Sequence, residues 1–211
     1  MNRILYIRSS LSGHDSVSNQ LADEFLEGLK ARNPGALGTT LDLAKDPLPH
    51  LGSEEFGAWT VPDEQRSPVQ RELTALSDQL IDALFAHDIL VLAVPMYNLG
   101  IPSTLKAWID RVARAGKTFR YTAEGPIGMV NDVRAYVFFA RGGVYRETSL
   151  DTQTGHLRAV LGLMGITDVE TVYAEGLAMG DKARSASLAE ARSAISVLAR
   201  DRTLEVSREA A

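Results

Sequence analysis

With 211 residues, 45% of them hydrophobic and 23% charged, the chain has the composition of an ordinary globular protein with material for a sizeable core. A formal net charge of -5 and a pI near 5.4 exclude the global positive field that nucleic acid or an anionic membrane surface would select, leaving small molecules or proteins as partners. The absence of cysteine excludes disulfide frameworks, thiolate metal sites, iron–sulfur clusters and thiol nucleophiles, and it favours a reducing compartment, the cytoplasm. The apolar part of Met1 to Ser10 is too short for a signal-peptide core, and no run reaches transmembrane length.

Ile4 to Ile7, rich in β-branched and aromatic residues, reads as a buried first strand. A loop follows, and from Ser16 the apolar residues Val17, Leu21, Phe25 and Leu29 recur every four positions along one helix face. Thr39 to Leu43 is a weaker second strand. The stretch from Ala44 to Arg66, with Pro47, Pro49, Gly52, Gly57 and Pro62, reads as a long loop of the kind that carries function. Ser67-Pro68-Val69-Gln70 supplies an N-cap, a first-turn proline and a capping-box glutamine, and Leu73, Leu76, Leu80 and Leu84 supply the buried stripe of the next helix.

Ile89 to Val94 is a continuous apolar run, the signature of a central strand covered on both faces, and Pro95 ends it. Leu105, Trp108, Ile109 and Val112 mark a helix opening near Ser103. Thr118 to Val130, around Gly125-Pro126, reads as a hairpin excursion. Arg134 to Ala140 and Val169 to Ala174 complete the strands, with one helix through Leu157, Val160, Leu161 and Met164 and a last one through Leu188, Ala191, Ile195 and Leu198. Strands alternating with helices predict an α/β fold: a five-stranded parallel sheet joined by right-handed crossovers, with helices on both faces. Residues 1–202 read as a single domain and residues 203–211 as a flexible C-terminal tail.

In open α/β sheets ligands bind beyond the carboxyl ends of the strands. After the first strand comes a hydroxyl-rich loop with Ser10, Ser16 and Ser18 that opens into a helix, whose free N–H groups attract an anion such as a terminal phosphate. Ser16 reads equally as a plain N-cap. After the third strand, Pro95-Met96-Tyr97-Asn98-Leu99-Gly100-Ile101-Pro102 is apolar and restrained, either a wall for a flat ring or a tight turn before a helix. After the fourth, Arg141-Gly142-Gly143 lets backbone approach a ligand closely, or simply turns. All three segments lie on one sheet edge and can converge.

Other patterns are decoys. Gly116-Lys117-Thr118 imitates the end of a P-loop, but Arg111 stands where its leading glycine belongs. No G-x-S-x-G elbow and no G-x-G-x-x-G after the first strand are present, which argues against a hydrolase and against a tightly held dinucleotide. His14, His50, His87 and His156 lack metal-ligand spacing, so no metal is expected. Arg111, Arg114, Lys117 and Arg120 form a basic run that reads as a solvated face.

The Ser9-Ser10 pair, Ser16-Val17-Ser18 with Asn19-Gln20-Leu21, Pro95-Met96-Tyr97-Asn98, the block Arg111 to Thr122, Arg141-Gly142-Gly143 and Gly165-Ile166-Thr167-Asp168 together carry a resemblance over nearly the whole chain. The sequence resembles the FMN-dependent NADH-azoreductases, flavodoxin-like quinone and azo reductases. The resemblance implies that Ser10, Ser16, Val17 and Ser18 hold the FMN phosphate. It implies that Met96, Tyr97, Asn98 and Leu99, with Ala140, Arg141, Gly142 and Gly143, line the isoalloxazine. Leu99 stands where members often carry phenylalanine, and Ala140 where they often carry serine. It also implies a homodimer with active sites at the interface and a ping-pong cycle, in which NADH or NADPH reduces the flavin and a quinone or azo compound reoxidises it. Tyr121 and Leu163 are expected over the ring. The flavin carries the chemistry, so no dedicated catalytic residue is expected. A noncatalytic flavodoxin-like electron carrier or redox-responsive binding module is the alternative. A phosphoacceptor receiver domain is set aside, because the third strand ends in Pro95-Met96 and not in an aspartate.

Overall fold

The computed structural model describes residues 2–200. Its strands are β1 (Arg3–Arg8), β2 (Leu37–Asp42), β3 (Ile89–Pro95), β4 (Phe119–Thr122), β5 (Gly125–Gly128), β6 (Arg134–Ala140) and β7 (Val169–Ala174). Its helices are α1 (Val17–Arg32), α2 (Ser53–Trp59), α3 (Pro68–Phe85), α4 (Ser103–Val112), α5 (Thr152–Met164) and α6 (Asp181–Leu198). Five strands form a parallel sheet in the order β2-β1-β3-β6-β7, while β4 and β5 pair as a separate antiparallel hairpin. The flavodoxin-like fold expected from the sequence is the one observed, including the hairpin between Thr118 and Val130.

Every residue of β3 is buried, because helices cover both faces of the sheet. Alternation along the strands divides the core. Leu5, Ile7, Leu90, Leu92 and Val94 pack under α3, α4 and α5 with Trp108 and Leu161, whereas Ile4, Tyr6, Val91 and Ala93 pack under α1 and α6 with Phe25 and Ile195. The edge strand β2 is exposed over its first four residues, which accounts for its weak pattern in the sequence.

The α3 start follows its local signal: Ser67 accepts from the Gln70 N–H while the Gln70 side chain accepts from the Ser67 N–H, a complete capping box. Ser67→Ala is expected to cost about 1 kcal/mol, a fall of about 2–4 °C in the melting temperature for a domain of this size. Thermal melts monitored by circular dichroism test this; an unchanged midpoint would show that solvent satisfies the helix end equally well.

Two expectations are corrected. The stretch from Ala44 to Arg66 is not a bare loop, since it contains α2, a seven-residue helix that buries Ala58. The basic run is not a solvated face. Arg111 is buried and donates to Pro49 O and, at 2.7 Å, to Glu55 Oε2. Arg114 is buried too, donating to Ser77 Oγ at 3.1 Å and Asp78 Oδ1 at 2.8 Å while lying 5.1 Å over the Trp59 ring. These arginines clamp the 44–66 segment onto α3 and α4. Lys117 pairs with Asp63 at 2.6 Å, and Arg120 alone of the four is exposed. The expected tail, residues 203–211, lies outside the described residues. No helix among the described residues is long and apolar enough to cross a membrane.

Candidate functional site

At the carboxyl end of β1 the chain turns through Ser9, whose Oγ donates to Ala93 O at 2.8 Å, and reaches the buried Ser10. Leu11 to Asp15 form an exposed turn, and Ser16 then caps α1 by accepting from the Asn19 N–H at 3.2 Å. The N-cap reading of Ser16 therefore holds, and it leaves the anion reading in place: the Val17 and Ser18 N–H groups still precede the helix ladder. The buried hydroxyls of Ser16 and Ser18 stand 3.1 Å apart beside them. Two hydroxyls and two amides with no cation among them make a donor set for a phosphate that is held, not cleaved.

Past β3, Met96 donates its N–H to Ala140 O at 2.9 Å, extending the sheet by one residue. Tyr97 and Gly100 then exchange backbone hydrogen bonds of 3.1 and 2.9 Å, closing a two-residue turn over Asn98 and Leu99. Both turn residues have positive φ, 49° and 66°, as this kind of reverse turn demands. Asparagine tolerates that conformation; leucine does not. Leu99→Asn is expected to raise stability by about 1 kcal/mol by relieving the left-handed backbone, and Leu99→Val to lower it. Urea titrations of both variants decide the point, and equal midpoints would mean that the turn carries no conformational strain.

Past β6 the Arg141 side chain turns inward and is buried. Its Nε donates to Gln153 Oε1 (3.0 Å), Nη1 to Glu175 Oε1 (3.1 Å), and Nη2 to Asp151 Oδ1 (2.8 Å) and Thr154 Oγ1 (3.1 Å). The guanidinium also lies over the stacked rings of Phe139 and Tyr173, at 4.7 and 5.0 Å. Burial pushes the Asp151 carboxyl up, but bonding to Arg141 and Thr154 prevails and holds it below the ordinary 3.8. What Arg141 offers a ligand is backbone. The carbonyls of Arg141, Gly142 and Gly143 accept from Leu177, Ala178 and Gly176, whereas the Gly142 and Gly143 N–H groups have no acceptor among the described residues. A Cβ at Gly143 would stand 2.7 Å from the Tyr145 hydroxyl, a contact that turning the Tyr145 side chain would relieve.

Two side chains bind the three segments into one frame. The Tyr97 hydroxyl accepts from the Leu11 N–H at 2.9 Å and lies 3.4 Å from Ser10 Oγ, joining the first segment to the second. Gln153, fully buried at the start of α5, donates to Pro95 O at 3.0 Å and Gly100 O at 3.1 Å while accepting from Arg141, joining the second to the third. Glu175 secures the far side by accepting from the Tyr145 and Arg146 N–H groups. Sequence reasoning missed Gln153 and Glu175. One signal was present: Gln153 lies on the four-residue stripe of Leu157 and Leu161, a polar residue in apolar register.

The other expected residues are dispersed. Tyr121 is 73% exposed on the hairpin, edge-on to Phe119, and Leu163 is half-buried on α5. Among the described residues no hydrogen bond or ring contact ties either to the three segments. No group of three or more histidine, aspartate or glutamate side chains suited to a metal ion occurs there either.

The family model described as the flavodoxin-like fold matches residues 2–198. The chain belongs to this flavodoxin-like family. Among the curated relatives of this flavodoxin-like protein, an "FMN-dependent NADH:quinone oxidoreductase 2" of Pseudomonas fluorescens is 46% identical over 199 residues, covering 94% of this chain and all of the relative. An "FMN-dependent NADH:quinone oxidoreductase" of Azotobacter vinelandii is 47% identical with the same coverage. Among solved structures, an azoreductase of Bacillus anthracis superposes with a TM-score of 0.83 at 29% identity, covering 93% of this chain and all of that one. An FMN-dependent NADH-azoreductase of the same organism, solved in complex with FMN, superposes with a TM-score of 0.82 at 26% identity over 95% of this chain and all of that one.

Proposed function

We propose that this flavodoxin-like protein is an FMN-dependent NAD(P)H:quinone oxidoreductase and azoreductase, moving two electrons from a reduced nicotinamide to a quinone or azo acceptor. One observation carries the reading: three segments on one sheet edge, locked together by Tyr97 and Gln153, present free N–H groups and hydroxyls from the start of α1 to the Met96–Leu99 turn and the Gly142-Gly143 backbone. Ser10, Ser16, Val17 and Ser18 hold the cofactor phosphate. Met96 to Leu99 and Ala140 to Gly143 flank the ring, with the amides of Gly142 and Gly143 donating to its polar edge. The residues present therefore suit FMN, and bound FMN supplies the reversible two-electron chemistry that protein side chains lack. The protein's part is to fix the ring against the Met96–Leu99 turn, exclude water from one side of it and leave the other open to a planar substrate.

The working unit is a homodimer in the cytoplasm, with Tyr121 serving at the interface. Tyr121 and Ile127, 73% and 45% exposed on the hairpin, are the apolar side chains we assign to contact with the second copy.

The deciding experiment is an absorption spectrum of the protein with FMN, then with NADH under anaerobic conditions, then with a benzoquinone. Flavin bands bleached by NADH and restored by the quinone are expected. Failure to retain FMN sinks the cofactor assignment, and bound FMN that NADH leaves oxidised moves the protein to a noncatalytic electron carrier. Tyr97→Phe tests the frame, since losing the bond from Leu11 is expected to weaken FMN binding about 5- to 10-fold. Fluorescence titration reads this, and an unchanged affinity would remove Tyr97 from the frame.

A further inference from the structure

Beside the Met96–Leu99 turn lies a groove of about 480 Å³ that the cofactor reading leaves unused. It is lined by His50 from the 44–52 segment, Gly100 and Ile101 from the end of the second loop, Ser103 and Lys106 from α4, and Thr152 and His156 from α5. That volume lies within the range of small-molecule sites. Lys106 and two imidazoles, those of His50 and His156, reach it from three separate segments, two hydroxyls accompany them, and no carboxylate is in the lining; burial and the neighbouring Lys106 hold His156 toward its neutral form, so it serves as a hydrogen-bond donor and not as a cation. Asp110, one turn along α4, pairs with Lys106, and Asp151, next to Thr152, is engaged by Arg141 and Thr154.

The backbone reinforces this polarity. Helix α4 opens at Ser103 behind Pro102, which provides no side-chain cap, so its first N–H groups and positive dipole end are unmatched at the groove. The Thr104 hydroxyl in that same turn is shielded from solvent and has no hydrogen-bond partner among the described residues. By contrast, α5 begins with a capped turn, Asp151 accepting from the Thr154 N–H. The groove is also coupled to that loop: Thr152 Oγ1 donates to Leu99 O, and Gly100 closes the turn that carries Leu99.

We propose that this groove is a substrate subsite that receives an anionic group, phosphate or carboxylate, while the rest of the same substrate reaches the ring across Gly100 and Ile101. Two sources carry that chemistry: the phosphates of the reduced nicotinamide dinucleotide, or an acidic substituent on the electron acceptor. His50, Lys106 and His156 are then residues that set substrate preference and take no part in electron transfer. The proposal rests on the oxidoreductase reading, so its test has an arm independent of turnover.

The first arm titrates the FMN-loaded protein with pyrophosphate while imidazole proton resonances are followed by NMR. His50 and His156 are expected to shift with His14 and His87 still, and Lys106→Met is expected to weaken the titration at least 5-fold. The second arm compares wild type with the Lys106→Met, His156→Gln double variant, measuring KM for NADH and for a neutral and a carboxylated benzoquinone. A 5- to 20-fold rise in KM for NADH, with FMN affinity unaltered, identifies the dinucleotide as the source. The same rise confined to the carboxylated quinone identifies the acceptor. If His50 and His156 do not shift, or if neither KM moves, the subsite is overturned. A wild-type protein whose FMN is not reduced by NADH instead overturns the oxidoreductase reading, a separate result because the pyrophosphate arm needs no turnover.

Discussion

Arg141→Met is expected to cost about 3–5 kcal/mol of folding stability, because removing one member of a buried ion cluster strands the others. The guanidinium is fully enclosed, and its two carboxylate partners, Asp151 and Glu175, keep 8% and 12% of their side-chain surface exposed, so water cannot readily take its place. In a domain of this size that loss corresponds to a melting temperature lower by about 6–20 °C. Arg141→Lys should rescue little, since one ammonium cannot reach Gln153, Asp151, Thr154 and Glu175 as the planar fork does. The acid limb adds a check. Asp151 titrates below its ordinary 3.8 in the folded protein, so its contribution is complete above that pH and disappears as pH falls through the lower folded value. The gap between wild type and Arg141→Met should therefore narrow in acid below about pH 4. Urea unfolding at pH 7 and pH 3 measures both; a loss under about 1 kcal/mol at pH 7 would mean that the two carboxylates find other partners.

Gly128→Ala is expected to be the second most damaging change, at about 3 kcal/mol, from overpacking against groups that cannot rotate away. A Cβ at this position would stand 2.2 Å from Gly165 N, 2.3 Å from Gly165 Cα and 2.5 Å from Met164 C, all main-chain atoms. Gly165 is itself the left-handed cap of α5, with φ 102°, and Val130 donates its N–H to Met164 O at 2.8 Å in the same contact. The strain should lift the β4–β5 hairpin from the end of α5 and leave the sheet intact. Hydrogen exchange distinguishes the two: Val130 and the hairpin amides should lose protection while Leu90 to Val94 keep theirs. Uniform loss would show that the hairpin and the sheet unfold as one unit.

Elements with short-range causes were legible from the residues. Ser67 caps the helix it was expected to cap, Ser16 caps α1 as one of its two readings had it, β3 is the buried central strand, and the hairpin falls within the Thr118 to Val130 stretch, with Gly125 and Pro126 in β5 just past its turn. The candidate ligand segments were legible for the same reason, because each directly follows a strand and needs no knowledge of neighbours. Helix α2 escaped notice: seven residues burying one alanine give too few turns for a periodic signal.

Composition, capping and periodicity thus determined the fold class, the sheet's parallel character and the edge at which ligands would be met, since each is read from patterns within a few residues and from the order of the elements along the chain. Tertiary structure alone decided what the polar residues do. Arg111 reads as surface charge until the fold delivers Pro49 and Glu55, 62 and 56 residues earlier. The Arg141 guanidinium finds its partner only when strand order sets Glu175, 34 residues later, beside it, and Gln153 becomes a joint of the site when β3 and β6 pair and bring Pro95 within its reach, 58 residues away. A charged or amide group takes its role from whichever partner satisfies it on burial, and that partner is fixed by strand order and helix packing, not by spacing along the chain.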